Sequence, residues 1–296
     1  MSIPSIERKR DYQLASAHQR QSFKNGIQLT AQYILLLIFA VCFLIPFFWL
    51  VSESLKKPSE LFEVPMLWWP KSPQWSNFTL MFSSFPFLLY LKNTMMLVIP
   101  TMIGSIVSNA LVAYGFSRLE WKYREQVFVI VLITMILPFQ VTMIPLFLLF
   151  KELHWVNTYL PLTVPHFFGN PFFIFLLRQF LLGIPKELSF SARIDGANEF
   201  QIFYRIVMPL AKPVLTTVAI FAFLHTWNDF IGPLIYLSDN HMYTLSLGAQ
   251  QIMGTLDPKW NILMALGVTM TLPVLVLFFI MQKYFIQGIT MSGMKG

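Results

Sequence analysis

Long apolar stretches recur along the chain, and shorter polar segments separate them. Five of the stretches contain no Asp, Glu, Lys or Arg, and a sixth is interrupted only by Asp229. Each is long enough for the roughly 20 residues that an α-helix needs to cross a bilayer. The pattern predicts six transmembrane helices, at residues 25–52, 93–117, 126–150, 153–177, 213–238 and 260–282.

Two further charge-free stretches, 72–91 and 240–256, are too polar to span a membrane. Their polar groups would find no hydrogen-bond partner in the hydrocarbon core. We expect both on the outer face, the first as a short interfacial helix beside Trp68, Trp69 and Trp75.

The positive charges orient these helices. Segments placed inside hold 15 of the 21 Lys and Arg, and segments placed outside hold six. Cytoplasmic loops normally carry this excess, so both termini are predicted to be cytoplasmic. The organisation that follows is a polar cytoplasmic tail at 1–26 and one transmembrane domain at 27–296.

Composition narrows the function. Apolar residues make up 56% of the chain and charged residues 12%, against about 25% charged in soluble domains. The net charge of +7 follows the topology, so we predict no nucleic-acid partner. The single Cys42 rules out a disulfide framework within the chain. No P-loop or catalytic signature occurs, and we predict neither an enzyme nor a metal or cofactor site.

The cytoplasmic segment from Gly183 to Pro213 is charged yet regularly apolar, so we expect it to fold at the membrane surface. Pro185 suits the first turn of a helix, and Gly196 suits the left-handed residue that ends one. Asn198 and Gln201 have the spacing of a capping box for a second helix. The apolar positions predicted for that helix are Phe200, Phe203, Tyr204 and Val207.

Three features of this segment lie in one register: the run from Ala192 to Ala197, Ile206 ten residues after Gly196, and Pro209 three residues further on. In that register they resemble the EAA loop of ABC importer permeases. The flanking IPKEL and FLHTWNDF resemble the carbohydrate branch, the MalG-like subunits. The resemblance covers about residue 85 to the C-terminus. It implies an all-α polytopic membrane protein of six transmembrane helices with the type I importer (MetI-like) permease fold, a shared core at about 85–283 and a coupling loop at 183–213.

In that family the loop is the coupling helix seated in a cleft of the ATPase subunit. Phe190 and Ser191 stand where the family usually has Glu and Ala, so an apolar contact through Phe190 would replace a charged one. The ATPase-coupling residues that the resemblance implies are Phe190, Ser191, Ala192, Asp195, Gly196, Ala197, Ile206 and Pro209.

The resemblance also implies partners. These are a homologous second permease subunit, two ATPase subunits that bind ATP and Mg, and an extracytoplasmic substrate-binding protein. This chain would lie in a bacterial or archaeal cell membrane, in contact with lipid, and would import oligosaccharides or related sugars. The outer loop before the last span would reach the binding protein, through Gly254, Thr255, Leu256, Asp257 and Pro258.

Asp229 lies inside a predicted span, where an ionisable group is a candidate functional residue. With His225, Trp227 and Asn228 it could line a water-filled substrate passage. The alternative, which we slightly favour, is a polar cluster that locks this span to a neighbour by hydrogen bonds.

Other functions remain open at this point. The segment 183–213 could be an amphipathic connector on the membrane. The chain could also be a secondary transporter driven by an ion gradient, although it shows no internal repeat. A third alternative is an ABC importer for glycerol phosphate, which the lack of an intramembrane Lys or Arg disfavours.

Overall fold

The structure, a computed structural model, describes residues 4–254 and 259–293, with side chains at 26, 28–254 and 259–282. The described residues form helices and loops without any strand, so the predicted all-α class is confirmed. Their contacts divide the chain into two compact units, Met1–Gln74 and Trp75–Gly296.

The first unit is built on α1, Pro4–Ser54, which begins within the predicted tail and contains the first span at Gln28–Ser54. After α1, a 3-10 helix covers Pro58–Glu60. Trp68 packs edge-on against Trp49, with ring centroids 5.6 Å apart. An aromatic cluster of this kind is typical of the membrane–water boundary, where we placed this segment.

The second unit begins with α2, which is short, and α3, which is long enough to span a membrane. The third predicted span, 126–150, consists of two helices bent by 97° at Leu137 and Pro138. Proline has no backbone N–H to donate, and it favours an extended conformation at the residue before it. The helix therefore breaks here. The bounds are α2 Ser76–Ser84, α3 Phe87–Ser117, α4 Arg124–Ile133, a 3-10 turn Thr134–Ile136 and α5 Phe139–Glu152.

The fourth span begins later than predicted, at Leu160 instead of residue 153, and ends at Leu182. The chain turns first through His154 and Asn157, both in the left-handed region (φ 55° and 60°). Asn170 caps its last helix by accepting from the N–H groups of Phe172 and Phe173. The span comprises α6 Leu160–Thr163, a 3-10 turn Val164–Phe167 and α7 Pro171–Leu182.

The cytoplasmic loop and the fifth span form a continuous run of short helices that ends in one long helix. The loop's helical part meets that long helix at an angle of 78°. The run comprises α8 Glu187–Ile194, α9 Glu199–Ile202, a π-helix Phe203–Val207, α10 Met208–Leu210 and α11 Lys212–Asn228.

The chain then returns to the membrane through short outer elements and a final long helix. These are α12 Ile231–Tyr236, a 3-10 turn Asn240–Met242, α13 Leu245–Met253 and α14 Trp260–Gly293. As predicted, residues 72–86 and 240–254 form no span, whereas residues 87–91 belong to α3. In the described residues, four helices are long and apolar enough to cross a membrane, or six when each bent pair is one span.

The core joins the cytoplasmic loop to the spans. Leu177 and Leu181 of α7 pack with Ile202, Val207 and other loop and α11 residues in one buried cluster. Within a membrane, close packing of this kind holds helices together where water exclusion cannot. The loop helices are therefore part of the spans' core and not a loose attachment.

Two glycines allow helices to approach closely, and we expect different costs for filling them. A Cβ on Gly248 would collide with the rings of Tyr90 and Phe85, which are both buried. A Cβ on Gly104 would lie 2.7 Å from the ring of Phe167, which is 48% exposed and can turn away. Gly248→Ala should therefore cost about 1–3 kcal/mol, as overpacking does. Gly104→Ala should cost less. Melting midpoints of the two variants in detergent test this, and a lower midpoint for Gly104→Ala than for Gly248→Ala would contradict it.

Candidate functional site

The loop between α7 and α11 forms two helices at a glycine turn, as predicted. Gly196 has φ +84°, in the left-handed region that glycine adopts without strain. Asn198 and Gln201 form the capping box, with both hydrogen bonds at 2.9 Å. The first helix begins at Glu187, so Pro185 lies just before it and not in its first turn.

The predicted apolar face of the second helix is correct for Phe203 and Val207, which pack in the core, and wrong for the other two positions. Ile202 and Val207 are fully buried, whereas Phe200 and Tyr204 are 70% and 67% exposed. The π-helix at 203–207 is the reason, because its wider turn shifts the register that a regular α-helix would keep. Phe200 and Tyr204 are thus available to a partner.

A chain of four side chains runs from the loop surface to α3. The guanidinium of Arg193 lies over the ring of Phe190, 5.5 Å from its centroid. The Nε of Arg193 donates to Glu199 at 2.8 Å, and this hydrogen bond raises the pKa of Arg193. The hydroxyl of Tyr114, on α3, donates to the other carboxylate oxygen of Glu199 at 2.7 Å. Contact at Phe190 is thereby linked to a transmembrane helix.

The predicted coupling residues do not share one surface. Phe190, Ser191, Asp195, Gly196 and Pro209 are exposed. Ala192 is buried in the core, and Ala197 and Ile206 pack against it half-buried, so these three support the loop from within.

Sequence reasoning missed one exposed apolar residue, Ile194, at 87% exposure beside Phe190 at 54%. Its signal was present in the sequence, since Ile194 follows Phe190 by four residues and so shares its helix face. Phe200 and Tyr204 are also exposed, and we refer to these four exposed side chains of the loop together as the apolar patch. A protein partner is the ordinary cover for such a patch on the cytoplasmic side.

A cleft of about 540 Å³ lies beside the apolar patch, between α8 and the turn after α3. Arg118 forms one wall and donates to the carbonyls of Leu181 and Ile184 at 2.7 and 2.8 Å. It thereby fixes the turn that leads into α8. Other residues that line the cleft are Trp121, Lys186, Ser189, Phe190 and Arg193.

The structure separates the residues predicted at the substrate passage. Trp227 is 2% exposed and stacks on Phe223, with centroids 5.4 Å apart. Asp229 accepts from the N–H of Gly232 at 3.0 Å and so caps the short α12. His225 and Asn228 are exposed. The local contact of Asp229 favours a structural role, in which it caps a helix rather than locking two spans together.

This capping role predicts how Asp229 tolerates substitution. Asp229→Asn keeps an acceptor for the Gly232 N–H, so stability and transport should change little. Asp229→Ala removes the cap and should cost about 1 kcal/mol, as lost N-caps do. Unfolding midpoints and uptake rates of the two variants test this, and a transport defect in a fully stable Asp229→Asn protein would contradict it.

Only Gly254 of the predicted binding-protein contact is described. It follows α13 on the outer side, where its N–H donates to the carbonyl of Gln250. Residues Thr255, Leu256, Asp257 and Pro258 lie outside the described residues. Within the part that the structure describes, no group of three or more His, Cys, Asp or Glu could hold a metal ion.

Comparisons with known proteins identify the family of the chain. Residues 101–291 match the family described as "Binding-protein-dependent transport system inner membrane component". The arabinooligosaccharide transport permease AraQ of Bacillus subtilis is 36% identical, over 94% of this chain and 99% of its own. The sn-glycerol-3-phosphate transport permease UgpE of Yersinia pestis is 29% identical, over 88% and 95%.

A solved structure matches the fold. It is a chain of a bacterial ABC transporter involved in the import of the acidic polysaccharide alginate. The TM-score is 0.78 at 23% identity, and the match covers 88% of this chain and 98% of that chain. The predicted permease fold is therefore confirmed, and the ion-gradient alternative finds no support in these relatives.

Proposed function

Because the chain belongs to the family of binding-protein-dependent transport system inner membrane components, we propose that it is one permease subunit of an ATP-driven oligosaccharide importer. It would pair with a homologous permease, two ATPase subunits and an extracytoplasmic binding protein. ATP and Mg would bind to the ATPase subunits and not to this chain.

The apolar patch Phe190, Ile194, Phe200 and Tyr204 carries this proposal. These side chains are exposed on the cytoplasmic loop, while Ile202 and Val207 behind them are fixed in the core of the spans. A partner that covers the patch would hold a rigid extension of α3, α7 and α11. Movement of that partner would shift the spans as a body, as alternating access requires.

The contact must differ between the two states of the ATPase, since a contact that is equal in both transmits nothing. The cleft beside Phe190 offers a socket for a side chain of the partner, and its lining includes both basic residues and the carboxylates Glu120 and Glu199. Entry of a side chain of the ATPase would accompany closure of the ATPase dimer.

Neutral oligosaccharides are the first substrate candidate, and AraQ supports them. Glycerol 3-phosphate is the second, because UgpE matches along most of its length. An anion would favour an unpaired basic residue inside the membrane, and Arg178 of the fourth span is instead buried near the end of that span and paired with Glu125. Neutral substrates are therefore preferred.

Purification from native membranes tests the proposal. The tagged chain is extracted in mild detergent, and mass spectrometry identifies what accompanies it. We expect a P-loop ATPase and a second six-span permease. Recovery of the chain alone or as a homodimer in several detergents would refute it.

A further inference from the structure

One face of α11 carries three polar side chains and one aromatic ring that do not point into the core. At helical spacing of four, four and three residues, they form an outward stripe of Thr217, Phe221, His225 and Asn228. His225 and Asn228 are exposed, and Thr217 is half-buried. At about 1.5 Å per residue, His225 lies roughly 20 Å from the cytoplasmic start of α11, well inside the membrane.

The fourth span adds two side chains to this outward stripe. The ring of His166, in the 3-10 turn before α7, lies 6.2 Å from that of His225, edge to face. The ring of Phe172 lies 6.0 Å from that of Phe221, also edge to face. Aromatic and hydrogen-bonding pairs therefore follow one another along the same surface.

Lipid is a poor environment for this surface. The imidazole nitrogens of His225 make no hydrogen bond to any described residue. Asn228 donates to the carbonyl of Leu224 at 2.8 Å, and no described donor reaches its amide oxygen. Unsatisfied polar groups in hydrocarbon are costly, so polar side chains at this depth normally face protein or a water-filled cavity.

The chemistry of the surface favours a neutral, hydroxyl-rich ligand over a protein partner. Imidazole and amide groups can exchange hydrogen bonds with water and with sugar hydroxyls, while the rings of Phe172 and Phe221 offer apolar faces for sugar C–H groups. The nearby carboxylate of Asp229 is turned to the N–H of Gly232. No formal charge faces the ligand from α11.

We propose that the stripe with His166 and Phe172 is a sugar-contacting wall of the translocation passage, and that this subunit recognises neutral oligosaccharides directly through His225 and Asn228. The inference rests on the proposed function and deepens it. It moves recognition away from Trp227 and Asp229, which face the protein.

Cysteine labelling of the assembled importer tests the wall, and the single native Cys42 makes the background simple. In a Cys42→Ser complex reconstituted with the ATPase, His225→Cys and Asn228→Cys are treated with a membrane-impermeant, charged methanethiosulfonate. The matched controls are Val218→Cys, on the buried face of α11, and Phe279→Cys, which is exposed on the apolar α14. We expect the stripe to react about tenfold faster or more, since a thiol without water stays protonated and unreactive.

Ligand protection identifies the occupant. Arabinotriose or lactose, supplied with the binding protein, should slow labelling at 225 and 228. His225→Ala should raise the KM of arabinotriose uptake about tenfold, because one or two hydrogen bonds to the sugar are lost.

Two results would overturn the inference. The first is labelling of the stripe no faster than of the controls, which would place it against the second permease or lipid. The second is protection by glycerol 3-phosphate and by neither neutral sugar. Failure of the proposed function would be recognised by a different result, the absence of ATP-dependent sugar uptake by the unmodified complex.

Discussion

Phe190→Ala should reduce ATP-driven uptake by about tenfold or more, because truncating a central aromatic contact typically costs about 2 kcal/mol or more. Phe190 is 54% exposed at the loop surface, and Arg193 covers one face of its ring. The fold should be intact, since Phe190 is not part of the buried core. Uptake into vesicles and co-purification of the ATPase would both fall.

Three variants sharpen this prediction. Phe190→Leu keeps an apolar side chain and should retain most uptake. Phe190→Glu introduces the residue usual in the family, yet it should fail here, where the contact is apolar. Phe62→Ala, at a position that is 75% exposed on the outer segment, should leave uptake unchanged. Full uptake by Phe190→Glu, with loss in Phe190→Leu, would show that the contact is charged after all.

Local turn chemistry made much of the coupling loop predictable. Gly196 and the pair Asn198 and Gln201 are read from short-range rules, because their structure depends on the backbone next to them. The charge count likewise predicts the side of the membrane on which the loop lies, since it depends on the whole chain and tolerates local errors.

Features that depend on tertiary packing were not predictable in this way. The π-helix at 203–207 exists because the core takes up both Ile202 and Val207, and nothing in the sequence spacing marks it. The sequence left Asp229 between a functional and a structural role, because the N–H it accepts from, on Gly232, belongs to a helix that the charge-free pattern concealed. The break at Pro138 was the exception, since the proline was a signal that the apolar run obscured.

Arg178→Met should be the most destabilising of the single polar substitutions. Arg178 is 8% exposed and donates to both carboxylate oxygens of Glu125, at 2.8 and 2.7 Å. It also donates to the carbonyl of Phe116 at 3.2 Å, and its guanidinium lies 4.1 Å from the ring centroid of Phe128. Because it joins α3, α4 and α7, we expect a loss of about 2–3 kcal/mol, typical of charge-assisted hydrogen bonds.

The two ends of this ion pair should respond unequally. Glu125→Gln keeps an amide oxygen that can accept from Arg178, and Arg178 then retains its contacts with Phe116 and Phe128, whereas Arg178→Met removes all of these contacts at a buried position. Glu125→Gln should therefore lower the unfolding midpoint in detergent less than Arg178→Met does. Arg178→Lys should also fail to restore stability, since a single ammonium cannot bind Glu125 and the carbonyl of Phe116 through separate nitrogens or stack a planar group on Phe128. Equal decreases of the unfolding midpoint in Glu125→Gln and Arg178→Met would contradict this prediction. They would mean that the exposed carboxylate of α4, rather than the packing of Arg178, provides the stability.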